Sequence, residues 1–237
     1  MKPLCSMRRA LAHPDLFGTV LHGDSWAAWR VLLIALMGEE LTTDERAVFK
    51  QLTGRAHEPN MRVDEFYAII GRRGGKTRAV AVLAAYFAAL VDYSDVLAPG
   101  EYAQLPVLSN TQDQAQKCMQ YLSGIFANVP ALEKLVMRET ADSITLSTRV
   151  VIEVRPASFR SIRGGTAIAI ICDEVAIWRS DSLANPDSEI LAAARPCLAS
   201  THGMLACISS PYARKGELWN AFKNHYGAED DPRNSGR

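Results

Sequence analysis

The chain has 237 residues, 26 basic and 26 acidic side chains, 48% apolar residues and 22% charged ones. Those proportions exclude a disordered tail, a collagen-like repeat and a disulfide-stapled miniprotein, and they supply a buried core for one large domain or two small ones. A net formal charge of zero neither favours nor excludes a nucleic-acid partner, because a DNA-handling surface needs only a local basic stripe that the whole-chain sum hides. The cysteines at 5, 118, 172, 197 and 207 form no CxxC pair and have no histidine at zinc spacing, so they read as packing residues in a reducing compartment. Residues 1–16 lack the apolar stretch of a signal peptide, and no later run approaches ~20 apolar residues without a charge. No membrane is expected, and the cytoplasm is the expected location.

Apolar residues at helical spacing over 24–37 (Trp26, Trp29, Val31, Leu32, Leu33, Leu36) predict a helix ended by Gly38. A second helix opens at Thr42, which makes a capping box with Glu45, and it stops near Gly54. Both precede the first strand and are expected to sit over the core as an appendage. Residues 66–70 predict a strand that runs into Gly71-Arg72-Arg73-Gly74-Gly75-Lys76-Thr77 and then a helix over 78–92. Residues 102–108 predict a strand in spite of Pro106, and 111–128 a helix with Ala115, Met119, Leu122, Ile125 and Phe126 inward. Alternation over 143–146 and 150–154 predicts a hairpin. The unbroken apolar run 167–172 has the pattern of a strand buried on both faces, and it ends in Asp173-Glu174. A helix over 188–198, a strand over 204–208 and a helix from about Lys215 complete the alternation, and 227–237 read as a polar linker or frayed terminus. The fold class is therefore α/β, with a mostly parallel central sheet covered on both faces.

Residues 71–77 carry the first chemical signal. A phosphate chain is best held by backbone N–H groups at a helix N-terminus, with glycines allowing close approach and a lysine reaching the outer phosphates. Gly71, Arg73, Gly74, Gly75 and Lys76 supply that pattern, and Thr77 offers a hydroxyl to Mg2+. The strict motif GxxxxGK[ST] requires glycine at position 70, where this chain has Ile70; the strand-loop-helix context supports the motif in its absence.

The second signal is the acidic pair. A carboxylate at the C-terminal end of a buried parallel strand faces the crevice where open α/β sheets bind ligands. There Asp173 can hold the metal or its waters, and Glu174 can polarise an attacking water. Another strand-forming segment lies between Lys76 and Asp173, which favours the additional-strand (ASCE, RecA-like) group of P-loop ATPases over the compact kinase-like group. Arg72, in the loop, and Arg163, in a loop entering the Asp173 strand, are candidates to stabilise charge on a transferring phosphoryl group. Arg160 suits DNA phosphates or solvent at least as well. The strand over 204–208 ends in Ser209-Ser210-Pro211, two hydroxyls placed to sense a γ-phosphate or, taken alone, simply a turn.

In order along the chain, GRRGGKT (71–77), SIRGG (161–165), IICDE (170–174) and ISSP (208–211) resemble the ATPase domain of the large terminase subunit, the DNA-packaging motor of tailed bacteriophages and their proviruses. The resemblance covers the chain from about Trp29 to Phe222, and that family's phosphate loop commonly lacks the outermost glycine. It implies a three-layer P-loop fold with ATP and Mg2+ as cofactors. Lys76 and Thr77 would bind ATP and Mg2+, Asp173 would be the metal carboxylate and Glu174 the catalytic one. Ser209 and Ser210 match the coupling motif, and Arg163 the arginine finger offered to the next subunit of a ring. Residues 1–60 would form a helical lid in which Gln51 contacts adenine, and 61–226 the ATPase core. The implied partners are double-stranded DNA, a portal protein, a small terminase subunit and further copies in a homo-oligomeric ring. The family's nuclease domain is not expected here: the chain is a truncated product or the nuclease resides elsewhere, and Asp181, Asp187 and Glu189 read as solvated or capping groups. The expected function is ATP hydrolysis that drives viral DNA into a prohead. The alternatives are another nucleic-acid motor, helicase-like or repair-like, and a nucleotide-binding assembly module without turnover.

Overall fold

A computed structural model describes residues 2–158, 165–178 and 185–228. The chain opens with a short strand, Lys2–Pro3 (β1), and a short helix, Met7–Ala12 (α1), before the helices Ala27–Leu36 (α2) and Thr43–Thr53 (α3). The ends of α3 are those its sequence dictates. The Thr42 hydroxyl accepts from the Glu45 N–H, the Glu45 carboxylate accepts from the Thr42 N–H, and Gly54 takes the left-handed φ of 73° that stops the helix.

Strand Glu65–Ile69 (β2) leads through the glycine-rich loop into Lys76–Ala89 (α4). This helix ends earlier than the predicted residue 92, because Val91–Asp92 (β3) pairs antiparallel with β1. Apolar on nearly every side, α4 is buried along most of its length. Strand Ala103–Ser109 (β4) and helix Gln112–Asn128 (α5), capped by Thr111, follow as expected, with Ala115, Met119, Leu122, Ile125 and Phe126 buried. A short helix, Pro130–Glu133 (α6), then precedes three strands, Val136–Glu139 (β5), Ser143–Leu146 (β6) and Val150–Pro156 (β7). The expected hairpin is β6 and β7; β5 adds a third strand whose mostly exposed Val-Met-Arg-Glu sequence lacks a core-facing stripe. Last come Ala169–Asp173 (β8), Pro186–Ala194 (α7), Met204–Ser209 (β9) and Gly216–His225 (α8). The helix predicted over 188–198 gives way at Arg195 to a 3-10 turn containing Pro196, which has no N–H to donate.

One seven-stranded sheet has the order β2-β9-β8-β4-β7-β6-β5. The pairs from β2 to β7 are parallel, and β6 and β5 continue the sheet antiparallel. The strand before the glycine-rich loop and the strand ending at Asp173 are therefore not neighbours, because β9 lies between them. That is the additional-strand arrangement of P-loop ATPases. It puts Ser209 and Ser210 between the loop and the acidic pair.

On one face Val107, Ile171 and Ile208 join α2, α4 and α5 in a continuous hydrophobic cluster; on the other Leu108, Ile170, Cys172 and Cys207 pack with Ile190, Leu191 and Ala194 of α7. The result is three layers, helix, sheet and helix. The N-terminal helices lie outside the sheet, yet Trp29, Leu33 and Phe49 belong to the same cluster as α4. No helix among the described residues is long and apolar enough to cross a membrane.

Candidate nucleotide and metal site

The glycine-rich loop begins where β2 loses its partner. The Ile70 N–H still donates to the Ser209 carbonyl (3.1 Å), and the Gly74 N–H then donates back to Gly71 (3.3 Å). Glycine is required at two positions for different reasons. A Cβ on Gly74 would lie 2.4 Å from Cγ2 of Ile70, and one on Gly75 would lie 2.7 Å from the Trp26 ring at a left-handed φ of 74°. At Gly71 a Cβ would meet nothing within 4 Å. Ile70, the departure from the strict motif, thus fills the space that Gly74 leaves beside it.

The loop is gripped from the N-terminal helices. Trp29 on α2 donates its Nε1–H to the Gly74 carbonyl (2.7 Å), and the Arg78 guanidinium stacks 5.0 Å from the Trp26 ring centroid. In the sequence pattern Trp26 and Trp29 stand only as apolar positions of a helix. The available signal was a pair of indoles three apart in an otherwise aliphatic stripe, since a buried indole N–H needs an acceptor.

Lys76 opens α4 and is almost wholly buried. Its Nζ donates to the carbonyls of Ile70 (3.0 Å) and Gly71 (3.3 Å) and to Ser210 Oγ (3.0 Å), and stands 3.5 Å from Oε1 of Glu174. Thr77 is half-buried on the first turn of the helix, whereas Arg72 and Arg73 are exposed, Arg73 at a positive φ of 63°.

Asp173 ends β8 at 1% exposure, and neither carboxylate oxygen has a hydrogen-bond partner among the described residues. Burial, and then the adjacent Glu174 charge, raise its pKa from an ordinary 3.8 to about 7 against the pull of Lys76. Glu174 follows in the left-handed region (φ 53°, ψ 45°), a conformation that a non-glycine residue keeps only when its surroundings hold it. They do: the Glu174 carboxylate accepts from Ser209 Oγ (3.1 Å), the Ser210 N–H (3.0 Å) and Ser210 Oγ (3.4 Å).

The loop, Asp173-Glu174 and Ser209-Ser210 therefore meet at the C-terminal ends of β2, β8 and β9. Arg160, Arg163 and Asp181 lie outside the described residues. Gln51 is exposed on α3; its neighbours Leu52 and Thr53, with Phe66, Ile70 and Phe222, line an apolar cavity of about 350 Å³ beside β2 of which Gln51 is not a lining residue. Asp187 accepts from the Glu217 N–H (2.7 Å) at the start of α8, a capping role.

The residues fit both expected ligands. Backbone amides at the start of a long helix, with a buried lysine beside them, suit a polyphosphate. A hard divalent cation takes oxygen ligands, and Asp173 offers a buried carboxylate that meets no hydrogen-bond donor among the described residues, with the Thr77 hydroxyl on the first turn of α4.

Among solved structures, the chain is similar to the large terminase of bacteriophage HK97, with 17% sequence identity and a TM-score of 0.53 over 70% of this chain and 34% of that one. It is also similar to the ATPase domain of the large terminase of Thermus phage P74-26, with 19% identity and a TM-score of 0.50 over 73% of this chain and 72% of that one. At these identities the likeness speaks for the fold, and the match spans about a third of the HK97 protein's length. No curated protein matches the sequence. The family model of the terminase large subunit, ATPase domain, matches residues 47–197, more than half of the chain and both the glycine-rich loop and the Asp173 strand. The chain belongs to that family and is a terminase large-subunit ATPase domain.

Proposed function

We propose that this domain hydrolyses ATP with Mg2+ and couples the reaction to translocation of double-stranded DNA into a viral prohead. The observation that carries this reading is the convergence of Lys76, the buried Asp173 and Glu174 at one end of an additional-strand sheet.

In the proposed cycle the amides from Gly74 onward and the N-terminus of α4 bind the outer phosphates, favoured by the helix dipole. Lys76 exchanges its carbonyl and Ser210 acceptors for phosphate oxygens. Asp173 and Thr77 would hold Mg2+, which when bound neutralises charge developing on the phosphates. Glu174, freed from Lys76 but still held by Ser209 and Ser210, orients the attacking water. Both serines touch the glutamate and Ser210 touches the lysine as well, so loss of the γ-phosphate is felt at the end of β9. Arg72 and Arg163 supply positive charge to the transferring group, Arg163 across a ring interface. Residues 1–60 act as a lid over the 61–226 core, with Gln51 turned to the base. The motor works in the host cytoplasm as a homo-oligomeric ring, with a portal protein and a small terminase subunit.

The test compares ATP turnover and nucleotide binding in the parent and Glu174→Gln. Loss of the water-orienting carboxylate is expected to cut Mg2+-dependent turnover by roughly 10²–10⁴ while ATP still binds. Equal turnover in the two proteins would overturn the proposal.

A further inference from the structure

Among the described residues, the buried side-chain atoms without a hydrogen-bond partner are Arg62 Nη1, Ser109 Oγ and the two oxygens of Asp173. Folded interiors pair such groups almost everywhere, so an orphan calls for a cause. Ser109 and Asp173 are not scattered exceptions. The parallel register of β4 with β8 pairs Val107 with Ile171 and Leu108 with Cys172; continued by one residue beyond that last pair, the same register sets Ser109 next to Asp173. Side chains alternate along a strand, and Val107 and Ile171 both face the cluster under α4 and α5. Ser109 and Asp173 therefore project to that same face, on strands about 4.8 Å apart. The Ser109 carbonyl accepts from the Ala157 N–H (2.7 Å), and its hydroxyl is the side-chain atom left over. A hydroxyl and a carboxylate, both buried and both unsatisfied, thus stand side by side at the mouth of the phosphate site.

We propose that Ser109 is a positioning residue for Asp173. With nucleotide and Mg2+ bound, its hydroxyl donates to one Asp173 oxygen, directly or through one water, so that the other oxygen is presented to the ion. Carboxylates that hold metals generally carry such an outer hydrogen bond, and its loss costs roughly 10–100-fold in metal affinity. The inference rests on the nucleotide-site reading above and adds a residue that no motif contains.

The experiment measures the affinity of the protein for a fluorescent ATP analogue in EDTA and in excess Mg2+, for the parent, Ser109→Ala and Ser109→Thr, with melting temperatures recorded without nucleotide. Ser109→Ala is expected to melt no lower than the parent, since it removes an unpaired buried hydroxyl. It is expected to bind as the parent does in EDTA and about tenfold more weakly in Mg2+, with Ser109→Thr restoring most of the loss. The inference is overturned if the Ala variant shows the parent's response to Mg2+, or if it loses affinity equally in EDTA, which marks a packing role. It is also overturned if a Thr variant that melts like the parent keeps the Ala defect. A parent whose binding ignores Mg2+ would instead overturn the nucleotide-site reading, and this inference with it.

Discussion

Asp173→Asn is the perturbation whose effect follows most directly from the geometry. Burial raises the Asp173 carboxyl from an ordinary 3.8 to about 7, so the folded state prefers the neutral form. Below pH 3.8 both folded and unfolded chains hold the proton and ionisation has no effect. Above it the unfolded chain ionises first, stability falls by about 1.4 kcal/mol per pH unit, and the fall levels off once pH passes the folded value near 7. From pH 5 to pH 8 this cost grows by about 2–3 kcal/mol. Asparagine has no proton to lose. Its amide has its own unpaired donors, but that penalty is the same at every pH, so the informative quantity is the change in the stability gap. Urea unfolding of the parent and the variant at pH 5 and pH 8, in EDTA, is expected to show the gap moving about 2–3 kcal/mol in favour of asparagine. A gap that stays constant or moves the other way would refute the assignment of Asp173 as a buried, partnerless acid.

Trp29→Phe keeps an aromatic side chain in the core but removes the donor to Gly74 and part of the buried indole, so it is expected to lower the melting temperature and, through a loss of about 1 kcal/mol at the loop, to weaken nucleotide binding roughly fivefold; unchanged affinity would contradict a role in holding the loop. Gly75→Ala drives a Cβ into Trp26 in a left-handed backbone and is expected to destabilise by about 1–3 kcal/mol and abolish nucleotide binding. Gly71→Ala, in open space, is expected to be tolerated in thermal melts, and equal effects at the two glycines would contradict this packing. Arg46 beside Glu58 holds that carboxyl at about 2, below its ordinary 4.5. The contribution is therefore present above pH 4.5 and lost as pH falls toward 2. Glu58→Gln should flatten the acid limb of a stability curve in that window, and an unchanged slope would show that the pair contributes nothing.

What the sequence makes legible here is chemistry held in short spacing. The loop over 71–77, the apolar run ending in Asp173-Glu174, the capping box at Thr42 and the two serines after the last strand each carry their pattern within a few residues. What it hides is contact across long separations. Trp29 meets Gly74 across 45 positions and Lys76 meets Ser210 across 134. The Ser109–Asp173 neighbourhood depends on β4 lying next to β8, a strand order that no local pattern specifies. Strand β5 escapes for another reason: its residues are mostly exposed, and it exists because β6 offers an edge to pair with. Gln51, a residue placed by resemblance, stands on the exposed face of α3, while its neighbours Leu52 and Thr53 line the cavity beside β2.

If the loop amides and Lys76 grip a triphosphate opposite Asp173 and Glu174, a crystal structure with a non-hydrolysable ATP analogue and Mg2+ will show Lys76 Nζ withdrawn from Ile70, Gly71 and Ser210 onto phosphate oxygens, with Thr77 and Asp173 holding the ion. An analogue bound only in the apolar cavity beside β2, or Lys76 still on those same acceptors with the nucleotide present, would contradict it.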